Sequence, residues 1–439
     1  MPNASTNSAL ESFSHIIERN RVSGKGGIYS VCSAHPQVVE AAIQQALEDG
    51  TTLLVESTSS QVNQFGGYTG LMPQDFADYI RSEAKKAGLA TDRILLGGDH
   101  LGPYPWRTEP HANALEKGKE LVRQCVLAGY PKIHLDASMA CADDPRVITD
   151  ETVAERAAEL CVAAEKAVQQ RGPDATEPRY VIGTEVPVPG GESGESEAPQ
   201  PTSPSHVFQT LETFQKAFKT RGLERAWGRV IGLVVQSGAE FGDTHVFDYD
   251  PAKTRELRQN LPQSPPLVYE GHSTDYQRPG ALKNMVEDHF AILKVGPWLT
   301  FAYREAIFAL SAMERDYLGR RASVQCSRVR EVLRSAMLRS PIYWKGYYAD
   351  ADEAAQAFGR EFSYSDRCRY YWPDAAVQRE IKLLLHNLSQ ARIPQTLISQ
   401  YFPDQYDRMR AGEWGAEPNA LLEHHIRRVL RIYSAACRA

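Results

Sequence analysis

Two histidines and a set of carboxylates stand where short apolar runs end. In "ILLGGDHLGP" Asp99 and His100 follow Gly97 and Gly98, and in "VYEGHSTD" His272 is followed by Ser273, Thr274 and Asp275. Imidazole nitrogens together with carboxylate oxygens are the ligand types of a divalent transition-metal site. Other apolar runs close on Ser33 and His35, Glu56 and Ser57, Asp136, Glu185, Gln236 and Glu240, and Lys294. Glu240 and His245, both in "SGAEFGDTHVFDY", are alternatives for a third ligand. Asp136 and Glu185 are each open as a ligand, an acid or base, or an acceptor for substrate hydroxyls. His134 shares a strand face with Asp136 and is expected to pack inside the fold.

One scaffold has to deliver all these residues to one place. From Gly27 onward, apolar runs alternate with amphipathic stretches: "GIYSVCS", "TTLLVES", "DRILLGG", "KIHLDAS", "YVIGTEV", "RVIGLVVQS", "PLVYEGH" and "FAILKVG" each precede a helix-like segment. In the first, "HPQVVEAAIQQALEDG", apolar residues recur at helical spacing, with Pro36 suited to the first turn and Gly50 to the C-cap. Eight strand-helix units imply parallel pairing and predict an α/β fold, a closed (β/α)8 TIM barrel. An open doubly wound sheet is the rival. The first strand-to-helix turn has no G-x-G-x-x-G, and no G-x-x-x-x-G-K-[ST] occurs, so neither a Rossmann nor a P-loop reading has support and no nucleotide cofactor is expected.

The expected division is a helical lead-in over 1–22, the barrel over 23–320, and a helical C-terminal extension over 321–439 packed on the barrel. The Pro-, Gly-, Ser- and Glu-rich stretch 187–206 is expected to be a mobile loop after the fifth strand. Barrels keep their chemistry at the C-terminal ends of the strands, and the loops after strands seven and eight usually bind phosphate at a helix N-terminus. Ser273, Thr274, Lys294 and Gly296 could form that cradle. Arg367 and Arg369, in "SDRCRYYWP", reach a second phosphate only if the extension folds over the mouth; a structural Arg and Tyr cluster is the expectation.

The 439 residues carry a formal net charge of -6, with 42% hydrophobic and 24% charged residues, as expected of a globular chain. Lysines and arginines are scattered, which argues against a nucleic-acid partner. Seven dispersed cysteines without a C-x-x-C pair read as reduced thiols. No apolar run of membrane-spanning length occurs and the first residues do not resemble a signal peptide, so a cytoplasmic location without membrane association is expected.

The strings "SVCSAHP", "QVNQFGGYTG", "LGGDHLGP", "KIHLDAS", "GTEVPVPGG", "YEGHSTDYQ" and "LKVGP", with "YYWP" and "SQYFP" in the extension, closely resemble the family of the non-catalytic (Z-type) subunit of class II D-tagatose-1,6-bisphosphate aldolase. Members have been described as stabilising partners of a separate catalytic aldolase subunit, have carried a tagatose-6-phosphate kinase label, and resemble enzymes that epimerise ketohexoses or their 6-phosphates at C4. The kinase label lacks a phosphate-binding loop here.

Similarity to catalytic class II aldolases implies that Asp99 handles the C4 hydroxyl proton and that His100 and His272 bind the metal. Glu240 falls where those aldolases place their remaining histidine ligand, and zinc, manganese or nickel would be compatible. Catalytic roles are thus expected for Asp99, Asp136 and Glu185, and substrate or phosphate binding for Ser33, Glu56, Asn63, Gln64, Ser273, Thr274, Asp275, Lys294 and Gly296. The C4 proton of a 2-ketose is not adjacent to the carbonyl, so inversion there calls for retro-aldol cleavage and re-addition. The expected substrate is a ketohexose phosphate, and the expected partners are a separate aldolase subunit or further copies of the chain.

Overall fold

The computed structural model describes residues 5–186 and 199–439. Eight parallel strands close into a barrel: β1 (Ile28–Val31), β2 (Leu53–Thr58), β3 (Ile94–Leu101), β4 (Lys132–Leu135), β5 (Arg179–Ile182), β6 (Val230–Val234), and, after a hairpin of β7 (Glu240–Phe241) and β8 (Val246–Phe247), β9 (Val268–Gly271) and β10 (Phe290–Val295). The predicted (β/α)8 barrel is the fold that forms, and β1 closes on β10 through the pair Ser30 and Lys294. Its helices follow the strands as expected, except that the sixth is a short piece, Arg255–Gln259, because β7 and β8 take up the preceding chain.

The barrel interior is built in layers by the strand period of two. Ile28, Leu54, Leu95, Val268 and Ile292 form an apolar bottom layer, packed with Ala9, Leu10, Phe13 and Ile17 of the helix Ser5–Ser23. That helix therefore closes the N-terminal end of the barrel. Two residues further along the same strands, the side chains become Ser30, Glu56, Glu270 and Lys294, all buried. On β3 the corresponding residue is Gly97, in register with Glu56 and Lys132. A Cβ at Gly97 would lie 2.7 Å from Glu56 Cγ, so a side chain on this residue would displace the carboxylate arm. Gly97 is thus a packing requirement of the charged layer, whereas a Cβ at Gly98 would run into the Leu101 side chain.

The helices after Leu318 pack on the barrel. The last, Pro418–Arg438, lies against the helices Pro36–Asp49, Pro279–Glu287 and Pro297–Leu318. Tyr433 on it donates to the Thr274 carbonyl at 2.6 Å, and Gly27 N–H to the Cys437 carbonyl at 2.8 Å. Of the stretch expected to be a loop, 187–198 lie outside the described residues, while Pro204 to His206 form the first turn of the helix Pro204–Thr220, capped by Ser203. No helix among the described residues is long and apolar enough to cross a membrane.

Candidate active site

A cavity of about 1300 Å³ opens at the C-terminal ends of the strands. Asp99, His100, His272, Ser273, Asp275, Lys294, Gly296, Ser33 and Asn63 line it from the barrel, and Tyr343, Tyr347, Arg369, Tyr370 and Trp372 from the extension. The extension thus covers the mouth. Asp99 and His100 both reach it because the β3–β4 register shifts between Gly98 and Leu101 and His100 takes φ 49°. In a regular strand neighbours point to opposite faces. Ser273 repeats the device at φ 54°, and strained non-glycine backbone of this kind persists where the surroundings over-determine it.

Three imidazoles gather here. The rings of His100, His134 and His272 lie 4.9 to 5.2 Å apart, centroid to centroid. Each has one nitrogen engaged by a carboxylate: His100 Nδ1 with Asp136 Oδ2 at 2.7 Å, His134 Nδ1 with Asp99 Oδ1 at 3.1 Å, and His272 Nε2 with Glu270 Oε1 at 3.1 Å. Asp136 is itself held by Ser138, whose N–H and hydroxyl donate at 2.9 and 2.6 Å. Carboxylates that fix one ring nitrogen orient the other for coordination. His134 Nε2 is buried without a hydrogen-bond partner. Donor atoms of Asp99, His134, Glu270 and His272 all lie within 4.8 Å of one another, and the expected ligand His100 stands beside this group, outside it. An orphaned imidazole nitrogen amid nitrogen and oxygen donors fits a divalent transition metal.

Beneath the histidines lies an ion network. Lys132 Nζ stands 2.8 Å from Glu56 Oε1 and 2.7 Å from Glu270 Oε2. Lys294 Nζ stands 2.8 Å from Glu56 Oε2, 2.9 Å from Asp99 Oδ1 and 3.6 Å from Glu270 Oε1. Glu56, Glu270 and Asp99 thus meet two ammonium groups, while Asp136 pairs with His100. Burial pushes the Asp99 carboxyl up, but His100, Lys294, His134 and His272 outweigh it and hold it well below the usual range. Burial would neutralise Lys294, yet Asp99, Cys32, Glu56 and Glu270 keep it charged. The same competition raises His100, where Asp99 and Asp136 outweigh burial, whereas burial leaves His272 neutral, at about 4.

Several expected roles change. Lys294 is committed to carboxylates. Glu56 lies within the barrel, bonded to Ser30, Lys132 and Lys294. The N–H groups of Gly296 and Trp298, at the start of the helix Pro297–Leu318, donate to Asp275 Oδ1 at 3.0 and 2.8 Å, so an internal anion already fills the expected phosphate cradle. Thr274 is buried, its hydroxyl donating to the Lys294 carbonyl at 2.6 Å. Asn63 braces its own loop by accepting from Phe65 and Gly67 N–H, and Gln64 turns away to donate to the Lys117 carbonyl at 2.9 Å. Glu185 accepts from Thr202, with its side chain 45% exposed and away from the described cavity lining. Glu240 is buried, accepts from the Phe241 N–H at 2.9 Å, and is not in the donor group around His134 and His272. Ser33 and Ser273 do line the cavity.

His134, Glu270 and Lys132 are the site residues that strand-end reading missed. The signal was the period of two, which puts Lys132 and His134 on the face of Asp136, and Glu270 on that of His272.

Asp275 offers a pH test. Burial pushes its carboxyl from 3.8 up to about 6, against the pull of the Trp298 and Gly296 N–H groups. Between those values the folded chain holds a proton that the unfolded chain has lost, so stability falls as pH rises from about 4 to about 6 and then levels. Asp275→Asn is expected to remove this component and stabilise the fold at pH 7 by about 1–3 kcal/mol. Urea midpoints of both proteins from pH 4 to 7 check it: the gap should widen up to pH 6, and a constant gap contradicts it.

A family model for the "D-tagatose-1,6-bisphosphate aldolase subunit GatZ/KbaZ-like" family matches residues 13–438. A solved structure from Sinorhizobium meliloti 1021, described as a probable tagatose 6 phosphate kinase, is similar at 40% identity and a TM-score of 0.84, over 94% of this chain and 100% of that one. A putative fructose-1,6-biphosphate aldolase from Coccidioides immitis aligns at 13% identity and a TM-score of 0.42, over 89% of this chain and 99% of that one. The YdjI aldolase from Escherichia coli K12 aligns at 14% identity and a TM-score of 0.42, over 87% and 98%.

Proposed function

The chain belongs to the D-tagatose-1,6-bisphosphate aldolase subunit GatZ/KbaZ-like family, and from that premise we propose that it is a metal-dependent enzyme that inverts C4 of a ketohexose phosphate. The observation that carries this reading is the grouping of His100, His134 and His272 beside an ionised Asp99 at the barrel mouth. His134 takes the ligand place for which Glu240 was a candidate. A divalent cation such as Zn²⁺, Mn²⁺ or Ni²⁺, held by these histidines, would polarise the C2 carbonyl and stabilise charge developing on it.

The residues of the chain divide the remaining work. Asp99 accepts the C4 hydroxyl proton as the C3–C4 bond breaks, and the bonding pair passes to the C2–C3 enediolate while C4 becomes an aldehyde. Lys294 keeps Asp99 ionised for that transfer. Asp136 orients His100. Ser33 and Ser273 line the cavity, where sugar hydroxyls would lie. The extension covers the mouth and retains the aldehyde, which turns its other face; C3 then attacks, and Asp99 returns the proton to the C4 oxygen.

Purified chain supplied with Zn²⁺, Mn²⁺ or Ni²⁺ is expected to convert fructose 6-phosphate to tagatose 6-phosphate, with activity lost on chelation and regained on metal return. Absence of turnover with every one of these metals overturns the enzyme reading. The family description names an aldolase subunit, which favours a second reading: a partner that stabilises a separate aldolase chain. Its signature is raised and prolonged activity of that chain on co-purification, with no turnover by this chain alone.

A further inference from the structure

A phosphate ester bound in this cavity needs a cation that is not already neutralised. Among the described residues, the lysine and arginine side chains lining the cavity are Arg107, Lys294 and Arg369. Lys294 is engaged by Glu56, Asp99 and Glu270, and Arg107 is exposed at the rim, against the ring of Tyr104. The helix N-terminus at Gly296 is filled by Asp275. Arg369 is different. Its guanidinium donates to the carbonyls of Ser365 and Asp366, and to the Tyr370 hydroxyl at 2.7 Å, and it makes no ion pair among the described residues.

The surroundings prepare this group for an anion. Asp366 sits at φ 44°, and the turn it makes offers backbone carbonyls, which fix the guanidinium without cancelling its charge. Burial pushes the Asp366 carboxyl up against the pull of the Thr300 hydroxyl and of Arg369, Arg304 and Arg367, weakening it as a counter-charge. A second guanidinium, Arg367, is buried behind the wall, 3.4 Å from the centroid of the Tyr347 ring, with none of its three nitrogens hydrogen-bonded. Tyr68 packs on Tyr370 at 4.8 Å between centroids, so Tyr68, Tyr347 and Tyr370 bring phenol groups to the same end of the cavity. Unpaired guanidinium charge in a partly desolvated wall is costly unless an anion meets it, and a planar donor fork matches phosphate oxygens.

We propose that Arg369, presented by the C-terminal extension and backed by Arg367, binds the terminal phosphate of the ketohexose phosphate and makes the site selective for phosphorylated over free sugar. This rests on the functional reading above for the sugar but not for the turnover. The Arg and Tyr cluster expected to be structural is then divided: Arg367 packs and Arg369 binds.

The test is calorimetric titration of the metal-supplied protein with fructose 6-phosphate, fructose 1-phosphate, fructose and inorganic phosphate. Fructose 6-phosphate is expected to bind the unaltered chain at least about tenfold tighter than fructose, with inorganic phosphate competing. Arg369→Met should weaken fructose 6-phosphate about 10- to 100-fold and leave fructose unchanged, Arg369→Lys should fall between, and Arg107→Met should match the unaltered protein. Equal affinity of the unaltered chain for fructose and fructose 6-phosphate overturns the proposal even if no Arg369 variant folds. So does an Arg369→Met protein that binds the ester normally, or a loss that follows Arg107 instead. Tighter binding of the 1-phosphate than the 6-phosphate would place the phosphate at the histidine end and equally overturn it. Binding is read without turnover, so selective phosphate binding with no epimer formed defeats the functional reading and leaves this one standing.

Discussion

Asp99→Asn is expected to slow C4 epimerisation by about 10²- to 10⁴-fold while substrate affinity changes little. Asparagine keeps the shape and can still accept from Lys294, but it cannot take the C4 hydroxyl proton. The fold should tolerate the change, because Lys294 retains Glu56 at 2.8 Å and Glu270 at 3.6 Å. The asparagine oxygen can also still accept from His134 Nδ1. The expected signature is a fall in kcat at nearly constant KM, with the metal still bound, as for an interaction made in the transition state. An Asp99→Asn protein that retains the original kcat would remove Asp99 from the chemistry. A variant that loses its metal instead would make Asp99 a ligand.

Lys132→Met is expected to destabilise the protein by about 3–5 kcal/mol, the usual consequence of removing one partner from a buried ion network. Lys132, Glu56 and Glu270 are all fully buried, and the ammonium stands within 3.0 Å of both carboxylates. Methionine fills much the same space but leaves Glu56 and Glu270 to share Lys294 alone. Both carboxylates must then stay charged with half the compensation or take up protons. Urea unfolding followed by tryptophan fluorescence measures the loss, and a change below about 1 kcal/mol would mean that the layer adjusts without Lys132. Combining Lys132→Met with Glu270→Gln should recover part of the loss, since the second change removes the charge left uncompensated.

Strand order, barrel closure and the convergence of strand-end residues on one cavity were legible because alternating apolar runs and amphipathic stretches are a period, and periods survive in a single sequence. Asp99, His100 and His272 were legible as strand ends. What lay one step deeper was not, although the same period contains it. Counting back by two from His272 reaches Glu270 and then Val268, and from Asp136 it reaches His134 and Lys132. An interior position ordinarily means apolar packing, yet here the interior layer above Leu54 and Val268 is ionic. Glu240 is a third-ligand candidate from its place after a strand and from correspondence with catalytic aldolases, and nothing local to it shows that β4 brings an imidazole beside His272. The phosphate cradle at Gly296 was reasonable for a barrel, but Asp275, three residues past His272, folds back onto those N–H groups. Only tertiary structure shows that a helix end is already occupied, or that Arg369, about a hundred residues past the histidine strand, reaches the mouth.

Inversion of C4 by breaking and re-forming the C3–C4 bond leaves a signature in the carbon-bound hydrogens. The most direct measurement is nuclear magnetic resonance of metal-supplied protein with fructose 6-phosphate in deuterium oxide, with no other chain present. Cleavage and re-addition never remove the carbon-bound hydrogens, so tagatose 6-phosphate should accumulate with protium at both C3 and C4. Deuterium at either carbon in the first product formed, or no C4 epimer at all, would contradict the account.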